Sequence, residues 1–105
     1  MPARGEAKRE GCEVEIHFKN HGDSVHHFNL HETLPYSIGS PSPEPKKIPM
    51  GNQIDYVWKV SLKPGEQKAI IYRLDIALEE AAKLPQLVVE GIESELVTGA
   101  KAVNV

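Results

Sequence analysis

Asp55-Tyr-Val-Trp-Lys-Val-Ser-Leu-Lys-Pro-Gly-Glu66 decides the fold class, because an alternating apolar run ends there on a Pro-Gly pair. In an extended chain successive side chains point to opposite faces, so Ile54, Tyr56, Trp58, Val60 and Leu62 share one face while Asp55, Lys59, Ser61 and Lys63 share the other. That is a half-buried strand with Trp58 at mid-strand, a side chain able to bury ~200 Å². Pro64 presets φ and Gly65 permits φ > 0, the two requirements of a type II turn. A second run follows, with Ile70, Tyr72 and Leu74 inward and Ala69, Ile71 and Arg73 outward, so the pair reads as a β-hairpin.

Working outward, Cys12, Val14, Ile16 and Phe18 alternate with Glu13, Glu15, His17 and Lys19, which predicts another two-faced strand. Asn20-His-Gly-Asp-Ser24 is a turn, and Val25 to Glu32 reads as a strand anchored by Phe28 and Leu30, expected to pair with the one before it. Thr33 to Ile38 is extended but interrupted by Pro35, as at a sheet edge or where a chain changes sheet. Between Gly39 and Gly51, Pro41, Pro43, Pro45 and Pro49 exclude a helix and a central strand and predict a long, stiff surface loop. Asp75 is placed to cap a helix running to Leu84, with Leu78, Ala81 and Ala82 on one side and Pro85 as its stop. Leu87 to Glu90 and Leu96 to Val105 are the remaining strands, with Gly99 marking a bulge. About seven strands and one short helix, with turn signals roughly every 8 to 15 residues, predict an all-β, immunoglobulin-like antiparallel β-sandwich.

At 105 residues the chain is one domain, long enough to bury roughly two-thirds of its unfolded surface. Residues 1–10 are polar and aperiodic and read as a linker or a boundary within a longer protein, leaving 11–105 as the sandwich. One cysteine, Cys12, allows no internal disulfide, and its apolar face makes it a small core residue rather than a nucleophile. With no run near the ~20 apolar residues of a membrane span and no apolar signal region, the default is a cytoplasmic protein without membrane partners. The net charge is −3, and residues 75–105 hold two of the twelve basic side chains but six of the fifteen acidic ones. The candidate interaction surface is therefore a thin set of lysines: Lys46, Lys47, Lys59, Lys63 and Lys68.

Five histidines, His17, His21, His26, His27 and His31, invite a metal reading. Ligands along one strand belong at i and i+2, about 6.5 Å apart, whereas His27 and His31 are about 13 Å apart and His26 and His27 face opposite ways. His17 and His27 meet only if their strands pair, with Cys12 or Asp23 nearby, so surface histidines are the better reading and no metal is assigned. Glu79-Glu80 and Glu93/Glu95 are solvated acidic pairs, and no phosphate-binding loop, dinucleotide fingerprint or C-x-x-C is present. No catalytic residue and no cofactor can be placed in this chain, and whether it serves an enzyme is left uncertain by its residues.

Several segments say more than a generic sandwich: Leu30-His-Glu-Thr-Leu-Pro-Tyr-Ser-Ile38, Ser42-Pro-Glu-Pro-Lys-Lys-Ile-Pro-Met50, Tyr56-Val-Trp-Lys-Val-Ser-Leu62, Pro64-Gly-Glu66, Val88-Val-Glu-Gly-Ile-Glu93 and Val97-Thr-Gly-Ala-Lys101. Together, over residues ~11 to 101, they resemble the immunoglobulin-like C-terminal domain of the B subunit of archaeal DNA topoisomerase VI. The Pro-Gly-Glu turn recurs in unrelated sandwiches, so the proline-rich loop joined to the Trp58 strand is the more telling part. The resemblance implies an accessory module of a type IIB topoisomerase, an ATP- and Mg-dependent enzyme that passes one DNA duplex through another. The ATP-binding fold, the transducer and the A subunit's breaking tyrosine lie outside this chain, so none of their residues carries over. It further implies that the partners are other domains of the B subunit, the A subunit, and DNA only weakly through the parent. Two other classes remain open: a free-standing binding module, for which Tyr36 is the one aromatic platform candidate, and, less favoured, a His-rich metal-binding sandwich.

Overall fold

A computed structural model describes residues 11–81, 83, 88–90 and 96–104. Its elements are β1 (Cys12–Asn20), β2 (His26–Leu34), β3 (Gly39–Ser42), β4 (Lys46–Met50), β5 (Gln53–Leu62), β6 (Gln67–Leu74), α1 (Leu78–Ala81), β7 (Val88–Glu90) and β8 (Val97–Asn104). They form two four-stranded antiparallel sheets, one in the order β3-β6-β1-β8 and the other β4-β5-β2-β7. The all-β sandwich expected from the alternation is what forms.

The alternating residues meet between the sheets. Cys12, Val14, Ile16, Phe18, Ile70, Tyr72 and Leu74 come from the first sheet, and Phe28, Leu30, Leu34, Tyr56, Trp58, Val60 and Leu62 from the second; all are buried. Trp58 stacks on Tyr72 across the core at 5.9 Å and 15°, and Phe18 meets Phe28 edge-on at 4.8 Å. The indole Nε1 donates to the carbonyl of Pro43 at 2.7 Å, so the one polar atom of the largest core side chain is satisfied.

Alternation assigned faces correctly and partners less well. β5 and β6 are not a hairpin: β5 pairs with β4 and β2, β6 with β1 and β3, and the Pro64-Gly65 turn is a corner between sheets. Gly65 at φ 77° and the 2.9 Å bond from Glu66 N–H to the Lys63 carbonyl are those of a type II turn. Types I and II splay flanking strands where a two-residue hairpin needs their mirror images, so this turn separates what it joins. β1 and β2 likewise lie in opposite sheets rather than pairing. Asn20, fully buried at the end of β1, ties the layers there by donating Nδ2 to the carbonyls of Ser24 at 2.8 Å and Leu62 at 3.1 Å.

The expected loop from Gly39 to Gly51 contains two edge strands. Proline is compatible with an edge because its missing N–H can face outward, and Pro49 sits in β4 in that way, opposite Ile54. The true hairpin is β4–β5, closed by Gly51-Asn52 with Gly51 at φ 65° in the first central position, where a type II′ turn takes glycine. Between Leu34 and Gly39 the chain changes sheet, as Pro35 suggested. The helix is shorter than expected: its first bonds run to the Ala77 carbonyl, two residues beyond Asp75, and Leu78 is exposed while Ala81 is buried. β8 keeps a continuous register with β1 through Gly99, so no bulge forms there; the register shift lies in β3 between Gly39 and Ser42. The expectations for residues 1–10, Ala82, Leu84, Pro85, Leu87, Glu93, Glu95 and Val105 lie outside the described residues.

Candidate interaction surface

The corner at Pro64-Gly65 disperses the five lysines. Lys46 and Lys59 border one groove of about 330 Å³, with Pro43, Glu44, Val57 and Trp58 as the rest of its lining. Lys47, opposite Tyr56, projects from β4 to the other side from Lys46. Lys63 begins the corner, and Lys68, expected just across a hairpin turn, belongs to β6 in the opposite sheet, opposite Phe18. All five are exposed, and two of them share a site.

The histidines are also dispersed. His17 Nε2 lies 3.1 Å from Glu15 Oε1, His21 shares a hydrogen bond with Thr98 Oγ1 at 2.9 Å, and His27 Nδ1 shares one with Ser61 Oγ at 2.7 Å. His17 and His27 cannot meet across a strand pair, because their strands lie in different sheets. Among the described residues no group of three or more His, Cys, Asp or Glu side chains gathers as metal ligands. Burial pushes the Cys12 thiol above its ordinary value, with the Arg73 guanidinium working against that, so the thiolate that would react is disfavoured. Tyr36 is half-buried against the core, and its carbonyl accepts from the Tyr56 hydroxyl at 3.1 Å.

Two polar clusters escaped the sequence reading. On the outer face of the second sheet, Asp55 accepts from Thr33 Oγ1 at 3.2 Å and pairs with His31 Nδ1 at 2.9 Å; the three come together because Thr33 stands opposite Asp55 and His31 two residues along. Inside the sandwich, Glu32 is 3% exposed and its Oε1 accepts from the Tyr72 hydroxyl at 2.6 Å and from Lys101 Nζ at 2.7 Å. Burial, then the Glu32 charge and its hydrogen bond, push the Tyr72 hydroxyl far above the ordinary phenol value. The signal was in the alternation: Glu32 is in phase with Phe28, Leu30 and Leu34, and Lys101 with Val97 and Val103, so both are inward positions carrying charge. The arrangement binds β2, β6 and β8 to one another and holds no nucleophile or open ligand position.

An all-β sandwich whose layers are tied by one buried Glu32–Tyr72–Lys101 set is the class these features define. The chain belongs to the family described as the C-terminal domain of the B subunit of Type 2 DNA topoisomerase 6, which matches residues 3–98. It is 54% identical over 92 residues to the Type 2 DNA topoisomerase 6 B subunit of Methanosarcina acetivorans, 52% over 91 residues to that of Methanosarcina mazei and 50% over 92 to that of Methanococcoides burtonii. These matches cover 87%, 86% and 87% of this chain, which spans 15% of the length of each relative. No solved structure matches. Among the described residues no helix is long and apolar enough to cross a membrane.

Proposed function

We propose that this chain is a non-catalytic accessory module of a cytoplasmic topoisomerase VI B subunit, contacting neighbouring domains of that subunit and influencing duplex passage without performing it. The family match over residues 3–98, in a chain spanning 15% of the B subunits it resembles, carries the reading. Cys12 is buried, and Glu32 accepts from both Tyr72 and Lys101 inside the sandwich, so these side chains serve the core on this reading. ATP and Mg belong, on this reading, to other domains of the parent, and contacts with the A subunit and with DNA are made through the parent. The test is a full-length B subunit lacking the segment equivalent to residues 11–105. ATP hydrolysis is expected to persist, with altered efficiency of duplex passage in the holoenzyme, since a β-sandwich with its own core is a separable unit. A folded deletion variant with no ATPase activity would overturn the accessory role.

A further inference from the structure

β5 has ten residues, Gln53–Leu62, yet β4 lies beside only its first half, ending with Lys46 opposite Val57. The parity of the ladder fixes what the second half offers on that side. Met50 and Gln53 close a two-residue loop and so form a hydrogen-bonded pair, which places the backbone groups of Gln53, Asp55 and Val57 toward β4 and those of Trp58, Val60 and Leu62 toward β2. Lys59 and Ser61 therefore aim N–H and C=O to a side where no strand lies among the described residues. The groove of about 330 Å³ opens where β4 departs, with Val57, Trp58 and Pro43 as apolar lining and Lys46 and Lys59 at its borders. Glu44 is the one acid of the lining, Asp55 is already held by His31 and Thr33, and beyond the groove Lys63 follows Lys59 by four residues with its own N–H donated to Glu66 Oε1 at 2.8 Å. Within the groove itself two cations, Lys46 and Lys59, stand against one acid, Glu44.

We propose that the open edge of β5 from Lys59 to Leu62, with the adjoining groove, is a strand-addition site for an extended acidic peptide segment of a partner protein. The backbone groups of Lys59 and Ser61 supply the ladder, the groove receives one apolar side chain, and Lys46 and Lys59 select negative charge. A second copy fits poorly, because two-fold pairing at this edge sets the lysines of each copy against those of the other. A phosphate backbone accepts from the N–H groups but offers no donor to the Lys59 and Ser61 carbonyls. Lysines also blunt exposed edges against self-association; the groove beside this edge is what that role does not need.

The experiment titrates this chain with a blocked peptide of about eight residues alternating glutamate and valine, its lysine-valine counterpart, and a short DNA duplex. Amide shifts and hydrogen exchange are the readouts. The acidic peptide is expected to give saturable shifts along Lys59–Leu62 and Lys46, with slowed exchange at the Lys59 and Ser61 amides. Binding should weaken at least about tenfold in the Lys46→Glu, Lys59→Glu double variant and tighten in Glu44→Lys, all exposed positions where the fold should persist. No saturable shift, unchanged exchange at Lys59 and Ser61, an equal response to the lysine peptide or the duplex, or dimerisation through this edge would each overturn it.

Discussion

Glu32, Tyr72 and Lys101 form the most consequential set of side chains in the core, because a carboxylate 3% exposed is tolerable only while its partners remain. Lys101→Ala removes the charge partner and leaves the acid buried against one hydroxyl, so the expected cost is about 3–5 kcal/mol, read as a lower urea midpoint at constant slope. A loss below about 0.5 kcal/mol would mean that Lys101 is held by β8 rather than holding it. Tyr72 adds a pH dependence of definite sign. The unfolded chain releases that proton near the ordinary value of 10.0, whereas the folded protein retains it, so above about pH 10 the native state binds more protons. Stability contributed by Tyr72 is therefore fully present below pH 10 and falls above it by up to about 1.4 kcal/mol per pH unit. Tyr72→Phe should flatten that alkaline slope; equal slopes in the two proteins would refute the assignment. Both inward charges were legible as phase, Glu32 with Leu30 and Lys101 with Val103, but not as a pair, since 69 residues separate them and alternation carries no information about which strands face one another.

At the scale of elements, the order of two residues in a turn separates a hairpin from a corner. Pro64-Gly65 places glycine second, as type II requires, and β5 and β6 part into different sheets; Gly51-Asn52 places it first, and β4 and β5 stay paired. The distinction was present in the sequence, so the hairpin expected at Pro64-Gly65 failed by weighing the strands and not the hand of the turn. The short strands β3 and β4 were hidden for another reason: proline excludes a central strand but leaves an edge open, and both are edges. A Cβ at Gly65 would meet nothing within 4 Å, so Gly65→Ala isolates the backbone cost of φ 77°. The expectation is a loss of about 1–2 kcal/mol with no change in the environment of Trp58, checked by denaturation and tryptophan emission. A neutral Gly65→Ala would show that the corner can adopt another turn, which the bonds from Gly65 N–H to the Asn20 carbonyl at 2.9 Å and from Asn20 N–H to the Glu66 carbonyl at 3.0 Å oppose.

At the scale of the whole molecule, among the described residues only β4 and β5 are neighbours both in sequence and in a sheet, and every other strand pair there is non-local. That is why a sandwich was legible from alternation while its topology was not: faces follow from local period, partners from the global fold. The same topology governs what the surface can do with DNA. Non-specific duplex affinity of ~10⁻⁴ to 10⁻⁶ M at physiological salt comes from cations neutralising about 6 to 10 phosphates on one footprint. Here β4 sends Lys46 and Lys47 to opposite sides, Lys68 lies in the other sheet, and Lys101 is drawn inward onto Glu32. The lysines available on the β4–β5 side thus number far fewer than such a footprint needs, and the chain around them carries a net charge of −3. The isolated chain is therefore expected to bind a short duplex more weakly than ~10⁻⁴ M near ~0.15 M salt, with any effect on DNA in the parent arising from tethering, which raises local concentration without intrinsic affinity. Chemical-shift titration decides it: low-micromolar, saturable binding with shifts at Lys46, Lys59, Lys63 and Lys68 together would show that these cations act as one surface despite lying on two sheets.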